Sequence, residues 1–342
     1  MKKIFSLLLA ALATFSMVSC QEEPLATVSD VSVTSIPSEG GGAPELLTVE
    51  HILALVENGK VEDAYRLVYT MRDDPTFAKL AERFLVMAQT VTRADPRIGV
   101  VTTRQEYDVR GNLIKETVDF AGKFSTQSDY AYDHMNNMVK ETYSDGTGEP
   151  LVYRDTYTYD DLGNVLEHVH FTATGEKQFA YTYTYDQEGK LVLQAYTAED
   201  PQWSHITEYV YDNQGRTVRE VYTDDNGYET VSEYVYDGDF LQTVSFSDSE
   251  GNADTTEYAY DQWGNLISEK YRSTEALSYT YHYAYDGDGR LLTRTHIQEE
   301  KQTSWAYRYN EFGVLVQETY TADGLEFQTE YSDFLYLYIR ES

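Results

Sequence analysis

Two histidines and one aspartate-rich loop are the residues of this sequence whose types and spacing suit metal binding. His168 and His170 alternate, so in a strand both imidazoles lie on one face, as two zinc ligands would. No third ligand is evident beside them. The loop at 248–254 has enough oxygen atoms for a weak calcium site, but aspartates in such loops also accept hydrogen bonds from their own turn. We favour the turn interpretation and predict neither a metal ion nor another cofactor.

Composition and motif content argue against catalysis and nucleic-acid binding. The chain has 58 Asp and Glu against 26 Lys and Arg, a formal net charge of −32, which repels phosphate backbones. Carboxylate pairs are so frequent that they do not indicate glycosidase chemistry. The sequence contains no nucleophile elbow, phosphate-binding loop or histidine–glutamate zinc motif. We therefore predict that the protein is not an enzyme and has no nucleic-acid partner.

Tyrosine is the residue type best placed to recognise a ligand, with 32 copies among 342 residues. Five tyrosines each lie eleven residues beyond the tyrosine of a Tyr-Asp or Tyr-Asn dipeptide. Strand parity predicts that they form an outward stripe opposite the dipeptide tyrosines, where they could stack on sugar rings or contact a protein. The alternative is packing over neighbouring strands. Trp263, at a turn tip, has the same two interpretations. The five are Tyr143, Tyr196, Tyr222, Tyr271 and Tyr320.

The dipeptide itself recurs along the C-terminal part of the chain. Successive tyrosines lie 24 to 27 residues apart, which indicates a repeat architecture. Aspartate at the first and glycine at the fourth position, as at 212–215, are typical of a type I turn followed by a bulge. Each repeat therefore predicts a tight hairpin. The copies are Tyr107-Asp108, Tyr132-Asp133, Tyr159-Asp160, Tyr185-Asp186, Tyr211-Asp212, Tyr236-Asp237, Tyr260-Asp261, Tyr285-Asp286 and the variant Tyr309-Asn310.

This pattern resembles the YD repeat of RHS proteins, which builds β-rich shells in large toxins and in some adhesion proteins. The resemblance covers about residues 98–342 and implies a mainly β fold. We expect an elongated, coiled antiparallel sheet of such hairpins, preceded by a small three-helix segment, because twist accumulates over many strands. In the hairpin around 212–215 we predict that Tyr211 pairs with Thr217 and that Val210 pairs with Val218.

The segment 46–97 has the periodicity of amphipathic helices. Asp74 and Pro75 supply an N-cap and a first-turn proline for a third helix, which we predict to continue through Phe84 and Ala88. This segment could dock a partner, or it could cap the free edge of the first strand, which an open sheet must protect. We favour the cap.

The N-terminus resembles that of a bacterial lipoprotein. Lys2 and Lys3 precede an apolar run that is too short to span a bilayer, and the run closes on Met-Val-Ser-Cys at 17–20, which is similar to a lipobox. The resemblance implies cleavage before Cys20, the only cysteine, and acylation there. A plain signal peptide with a chance cysteine is the alternative. The acidic residues after Cys20 resemble a signal for display on the outside of the outer membrane.

Four regions are therefore predicted: a signal peptide at 1–19, a lipid anchor and flexible tether at 20–45, the helical segment at 46–97 and the repeat sheet at 98–342. The tether follows from its Ser, Gly, Thr and Pro content. We expect a surface-exposed, lipid-anchored protein whose sheet is a non-catalytic scaffold for a protein or a glycan. The alternative is a structural component of an envelope complex that assembles through the helical segment, with a hydrolase less favoured.

Overall fold

The computed structural model describes residues 48–95, 98–146, 153–199, 203–274 and 276–338. The chain divides into two compact units, 1–52 and 53–342, and the whole sheet belongs to the second. None of the helices in the described ranges is long and apolar enough to cross a bilayer. The predicted signal peptide, Cys20 and the tether up to residue 45 lie outside the described residues.

Within the described residues, three short helices precede twenty strands, which confirms the prediction of a mainly β fold. The helices are α1 (Val49–Glu57), α2 (Val61–Thr70) and α3 (Pro75–Ala81). The strands are β1 (Phe84–Asp95), β2 (Gly99–Tyr107), β3 (Leu113–Phe120), β4 (Ser125–Tyr132), β5 (Met138–Ser144), β6 (Tyr153–Tyr159), β7 (Val165–Thr172), β8 (Lys177–Tyr185), β9 (Leu191–Ala198), β10 (Trp203–Tyr211), β11 (Thr217–Asp224), β12 (Glu229–Asp237), β13 (Phe240–Asp248), β14 (Ala253–Tyr260), β15 (Leu266–Ser273), β16 (Tyr279–Tyr285), β17 (Leu291–Gln298), β18 (Lys301–Tyr309), β19 (Leu315–Ala322) and β20 (Leu325–Tyr338).

The third helix is shorter than predicted. Asp74 caps α3 as expected, because its carboxylate accepts a hydrogen bond from the Thr76 N–H at 2.8 Å. Phe84 and Ala88, however, lie in β1 and not in a helix. This strand pairs with β2 on one side and with β20 on the other. These two ladders of backbone hydrogen bonds outweigh the local helical periodicity, because tertiary pairing readily overrides propensity.

The sheet closes on itself, so the expectation of an elongated, coiled sheet is wrong. Each strand pairs antiparallel with the next strand along the chain, and β1 also pairs with β20, from Phe84 opposite Tyr338 to Ala94 opposite Gln328. Twist accumulated over successive hairpins can bring the last strand round to the first. Pairing there satisfies backbone groups that an open sheet would expose. The result is a closed antiparallel barrel of 20 strands.

The aspartate of the Tyr-Asp dipeptide stabilises the turn that follows it, as Asp212 illustrates. Its Oδ1 accepts hydrogen bonds from the backbone N–H groups of Gln214 and Arg216 at 2.9 and 3.0 Å. Its Oδ2 accepts one from Arg216 Nε at 2.8 Å. Gly215 completes the turn with a φ of +82°, a conformation that glycine adopts without a steric penalty.

A β-bulge accompanies this turn and changes the register of the hairpin. Tyr211 pairs with Thr217, as predicted. Val210 pairs with Arg219 and not with Val218, because Val218 is an extra residue on the second strand. The other hairpins that begin at a dipeptide tyrosine have the same shift. One extra residue reverses the face on which every later side chain of that strand lies.

Helix α2 contacts the turns of the sheet. The Tyr65 hydroxyl donates a hydrogen bond to the backbone carbonyl of Phe312 at 2.9 Å, and Arg290 donates one to the Tyr69 hydroxyl at 2.7 Å. Phe312 and Arg290 belong to the turns after β18 and β16. Because β1 has a partner strand on each side, the helix does not protect a free edge of that strand.

Replacing Asp212 by asparagine should preserve its turn better than replacing it by alanine. In the last repeat, Asn310 Oδ1 already accepts the N–H groups of Phe312 and Val314 at 2.9 and 3.0 Å. Asp212→Asn therefore keeps two backbone hydrogen bonds and loses the charge pair with Arg216, whereas Asp212→Ala loses all of them. In denaturant melts near neutral pH we expect the wild type to be most stable, then Asp212→Asn, then Asp212→Ala.

Acid should reduce the advantage of the wild type. The backbone N–H of Arg216, together with its guanidinium, lowers the pKa of Asp212 below the ordinary value. A carboxyl with a lowered folded-state pKa contributes stability above its unfolded pKa of about 3.9, and that stability is lost as the pH falls through the folded value. Melts repeated in steps down to acid pH check this. Equal stability of the three proteins at neutral pH would contradict the role assigned to the aspartate.

Candidate functional site

The bulges place the five tyrosines predicted to point outward on the same face as the dipeptide tyrosines. Tyr222 pairs with Thr207, and Thr207 alternates along β10 with Tyr209 and Tyr211, so all four lie on one face. The prediction of a second, opposite stripe is therefore wrong, and packing across neighbouring strands is observed instead. We call this surface the aromatic face. The residues directly opposite the five on a neighbouring strand are Tyr153 for Tyr143, Tyr181 for Tyr196, Thr207 for Tyr222, Tyr279 for Tyr271 and Trp305 for Tyr320.

The dipeptide tyrosines connect successive hairpins. The Tyr211 hydroxyl donates a hydrogen bond to the backbone carbonyl of Leu191 at 2.7 Å, and the Tyr260 hydroxyl donates one to that of Leu241 at 3.0 Å. Each acceptor lies at the start of the second strand of the preceding hairpin: Leu191 in β9 and Leu241 in β13. We assign these tyrosines a structural role, because ring and hydroxyl are both engaged. The same bond is made by Tyr132, Tyr159, Tyr185, Tyr236, Tyr285 and Tyr309.

One group of rings on the aromatic face surrounds His205, and we call Tyr181, Tyr196, Trp203, His205 and Tyr222 the His205 cluster. The imidazole stacks on Tyr196 with a centroid distance of 4.7 Å, and it lies 4.9 Å from both Trp203 and Tyr222. Tyr181 lies 4.9 Å from Tyr196. Burial lowers the pKa of His205, so its imidazole is neutral at physiological pH. All five side chains stay partly exposed.

A second group lies on β16 to β19, and we call Tyr279, Tyr281, His296, Trp305 and Tyr320 the Trp305 cluster. His296 lies 4.7 Å from Tyr281 and 5.2 Å from Tyr279. Trp305 lies 5.1 Å from Tyr320. Burial, and then the charge of Arg294, lower the pKa of His296. The two clusters thus have the same composition: tyrosines, one tryptophan and one neutral histidine.

Carboxylates lie beside these rings at one position of the repeat. Glu220, for example, is directly opposite Tyr209. Burial, with a smaller effect of Glu220, raises the pKa of Tyr209 to about 12, so the phenol keeps its proton. Burial, and then the charge of Asp155, raise the pKa of Glu141. The aromatic face therefore offers ring surfaces, hydroxyl donors and carboxylate acceptors together. The carboxylates at this position are Glu116, Glu141, Glu220, Glu269 and Glu318.

The two alternating histidines converge on one carboxylate. His168 Nε2 and His170 Nδ1 lie 2.7 and 3.0 Å from the same Oδ1 of Asp155, a buried residue on the neighbouring strand. Burial acts to raise the pKa of Asp155, but the hydrogen bonds from the two imidazoles outweigh it and lower the pKa. In the part of the chain that the structure describes, no three His, Cys, Asp or Glu side chains have the arrangement of a metal site.

The aspartate-rich loop is organised by hydrogen bonds of its own, as favoured from the sequence. Asp248 Oδ1 accepts the backbone N–H groups of Glu250 and Asn252, both at 2.9 Å. Its Oδ2 accepts the Asn252 side-chain amide at 2.8 Å and the Tyr228 hydroxyl at 3.0 Å. Both carboxylate oxygens are thus used within the turn.

Of the two remaining predicted site residues, Trp263 lies within the described residues and Cys20 does not. Trp263 lies at its turn tip with 77% of its surface exposed. Its backbone N–H donates to Asp261 at 2.9 Å, so the turn itself is well ordered by hydrogen bonding. Cys20, the predicted lipid attachment site, lies outside the described residues.

Sequence reasoning missed Arg294. Its guanidinium carbon lies 4.3 Å from the ring centroid of Tyr281 and 4.6 Å from that of Trp305. Arg294 is directly opposite Tyr283, at the repeat position where five other hairpins have a glutamate. That exchange of a glutamate for an arginine within the repeat is the signal in the sequence that could have found it.

Comparison with known proteins gives structural matches only. No family model and no curated protein matches the chain. A crystal structure of TcdB2-TccC3-TEV matches 75% of this chain with 16% identity and a TM-score of 0.35, and this chain spans only 17% of that one. A crystal structure of TcdB2-TccC3-Cdc42 matches 64% with 14% identity and a TM-score of 0.30, over 16% of that chain. A porin-like protein from Bacteroides uniformis matches 72% of this chain over 96% of its own, with 11% identity and a TM-score of 0.31.

Proposed function

We propose that the protein is a cell-surface lipoprotein, anchored through Cys20, whose aromatic face binds a glycan without catalysing a reaction. One observation carries the binding proposal: rings in mutual contact, partly exposed, lie beside carboxylates and protonated hydroxyls on one face. The anchor rests on the sequence alone. Incorporation of labelled palmitate into the wild type and not into Cys20→Ala is the measurement that tests it.

The chemistry of the aromatic face suits a sugar. A pyranose ring presents an apolar C–H surface that stacks on aromatic rings, and its hydroxyls exchange hydrogen bonds with carboxylates and phenols. In the His205 cluster, Trp203 and Tyr222 supply ring surfaces on either side of the imidazole. Glu220 and Gln194 lie on the same face, opposite Tyr209 and Tyr183.

Assembly through the helical segment has less support. Ala64 and Val68 of α2 and Phe77 and Leu80 of α3 are all buried. Four apolar side chains of these two helices are thus already packed within the protein, which leaves less apolar surface for a partner. A protein ligand on the aromatic face is the alternative to a glycan.

Wild-type protein is expected to retain oligosaccharides on a glycan array, and Trp203→Ala should weaken that retention. Loss of one stacked ring should cost about 0.5–1.5 kcal/mol of binding free energy. Val210→Ala is the control, because Val210 is exposed and lies between Tyr209 and Tyr211 in β10, so its side chain is on the face opposite the aromatic face. If the array shows no retention, or if both variants lose it equally, the aromatic face is not a glycan site.

A further inference from the structure

We propose that the Trp305 cluster is a subsite for a hexuronic acid unit, with Arg294 pairing with the sugar carboxylate. This inference rests on the proposed glycan-binding function and specifies one chemical class of ligand for it. The guanidinium of Arg294 contacts the rings of both Tyr281 and Trp305, and these cation–π contacts favour its position on the aromatic face. The side chain is partly exposed.

Arg294 has no carboxylate partner among the described residues, although the chain is strongly acidic. Its Nε is buried and has no hydrogen-bond acceptor there. Other arginines of the same chain do form ion pairs with acidic side chains, so the unpaired guanidinium does not reflect a shortage of carboxylates. The paired arginines are Arg66, Arg72, Arg93, Arg216, Arg272 and Arg290.

The nearest glutamates at the same repeat position do not form an ion pair with Arg294. Glu269 on β15 and Glu318 on β19 are each two strands away from Arg294 on β17, a spacing of about 10 Å. Glu269 instead accepts a hydrogen bond from the Tyr283 hydroxyl at 3.2 Å. The guanidinium is thus separated from both glutamates by strands that present tyrosines.

A uronic acid has two groups that suit this arrangement: a carboxylate for the guanidinium and a sugar ring for the aromatic rings. A guanidinium presents parallel N–H donors in a plane, and a carboxylate accepts them as a pair. The rings of Trp305 and Tyr320, 5.1 Å apart, offer a stacking surface beside it for the sugar. Glu269 and Glu318 flank the subsite and would repel further negative charge. An oligosaccharide with one uronate among neutral units therefore fits better than a polyanion.

The test uses the full chain and oligosaccharides in matched pairs, each carrying a glucuronate, galacturonate or mannuronate unit or its neutral parent sugar. The wild type should bind at least one acidic member about ten-fold more tightly than its neutral parent, as expected for a charge-assisted pair. Arg294→Gln should remove that preference, so that the acidic member of each pair binds no more tightly than its neutral parent. Arg294→Lys should retain part of it.

Arg154 provides a matched control. Its guanidinium carbon lies 4.4 Å from the Phe171 ring and its Nε is likewise buried without an acceptor, but it lies next to Tyr153 and Asp155 in β6 and so on the opposite face. Arg154→Gln should keep the uronate preference. The inference is overturned if the wild type binds the neutral parent sugars as tightly as the acidic ones. It is also overturned if Arg294→Gln keeps the preference for the acidic sugars. Failure to bind any member of either set overturns the proposed function as well.

Discussion

Proline at either of two neighbouring residues of the last strand, Thr329 or Glu330, is expected to lower the free energy of unfolding by about 2–4 kcal/mol. Each residue pairs with β19 on one side and with β1 on the other. Neighbouring residues of an antiparallel strand direct their N–H groups to opposite sides. One substitution therefore breaks a hydrogen bond to β19 and the other breaks one to β1, and each leaves a carbonyl without its donor. Urea melts of the two variants measure the loss.

The pair of prolines tests closure of the sheet. In an open sheet β20 would be an edge strand, and a proline whose missing N–H faces solvent is tolerated there. Destabilisation by only one of the two prolines would therefore mean that the β1–β20 seam does not form. Thr329→Ala and Glu330→Ala are the controls for loss of the side chains, and they should cost about 0.5 kcal/mol or less.

Truncating a dipeptide tyrosine, as in Tyr211→Ala, should cost about 3 kcal/mol, the low end of the range for aromatic residues because the ring is only partly buried. The ring packs on the aromatic face and its hydroxyl bonds to the Leu191 carbonyl of the preceding hairpin. Tyr211→Phe removes the hydroxyl alone and should cost about 1 kcal/mol. Thermal and denaturant melts of the two variants separate these contributions.

Tyr222→Phe is the matched control, because no hydrogen bond of its hydroxyl is found among the described residues. We expect its stability to equal that of the wild type within about 0.5 kcal/mol. Equal losses for Tyr211→Phe and Tyr222→Phe would show that the bond to the preceding hairpin contributes nothing. Tyr222→Ala is expected to be milder than Tyr211→Ala, because only ring contacts are lost.

Local features of this fold could be predicted from the sequence, and features that depend on distant residues could not. Aspartate and glycine at 212 and 215 specify their turn through contacts within a few residues, so the pairing of Tyr211 with Thr217 was predictable. The predicted register pairs Val210 with Val218, whereas Val210 pairs with Arg219, because the turn residues indicate a bulge but do not indicate that Val218 is the extra residue. That single error reversed the face predicted for Tyr222.

Closure and the candidate subsites depend on pairing between residues far apart in the chain. Nothing local to β1 indicates that Phe84 pairs with Tyr338, so the sequence predicts a coiled sheet without deciding whether it closes. The contact between His168 and Asp155 depends on the register of β6 against β7. That register contains the same bulge, so the contact could not be predicted from the sequence. Arg294 could have been noticed as an exception within its repeat position, but its lack of a partner is a property of the folded protein.

The seam between β1 and β20 also affects how the protein folds. It joins residues as far apart as Phe84 and Tyr338, whereas a hairpin such as β10–β11 joins residues no farther apart than His205 and Asp224. The entropy lost on closing a loop grows with its length, so hairpins form early and the seam forms late. In a linear repeat array the two end units have one neighbour each and fray first. A ring has no end units, so a hairpin can detach from this sheet only by breaking two interfaces at once.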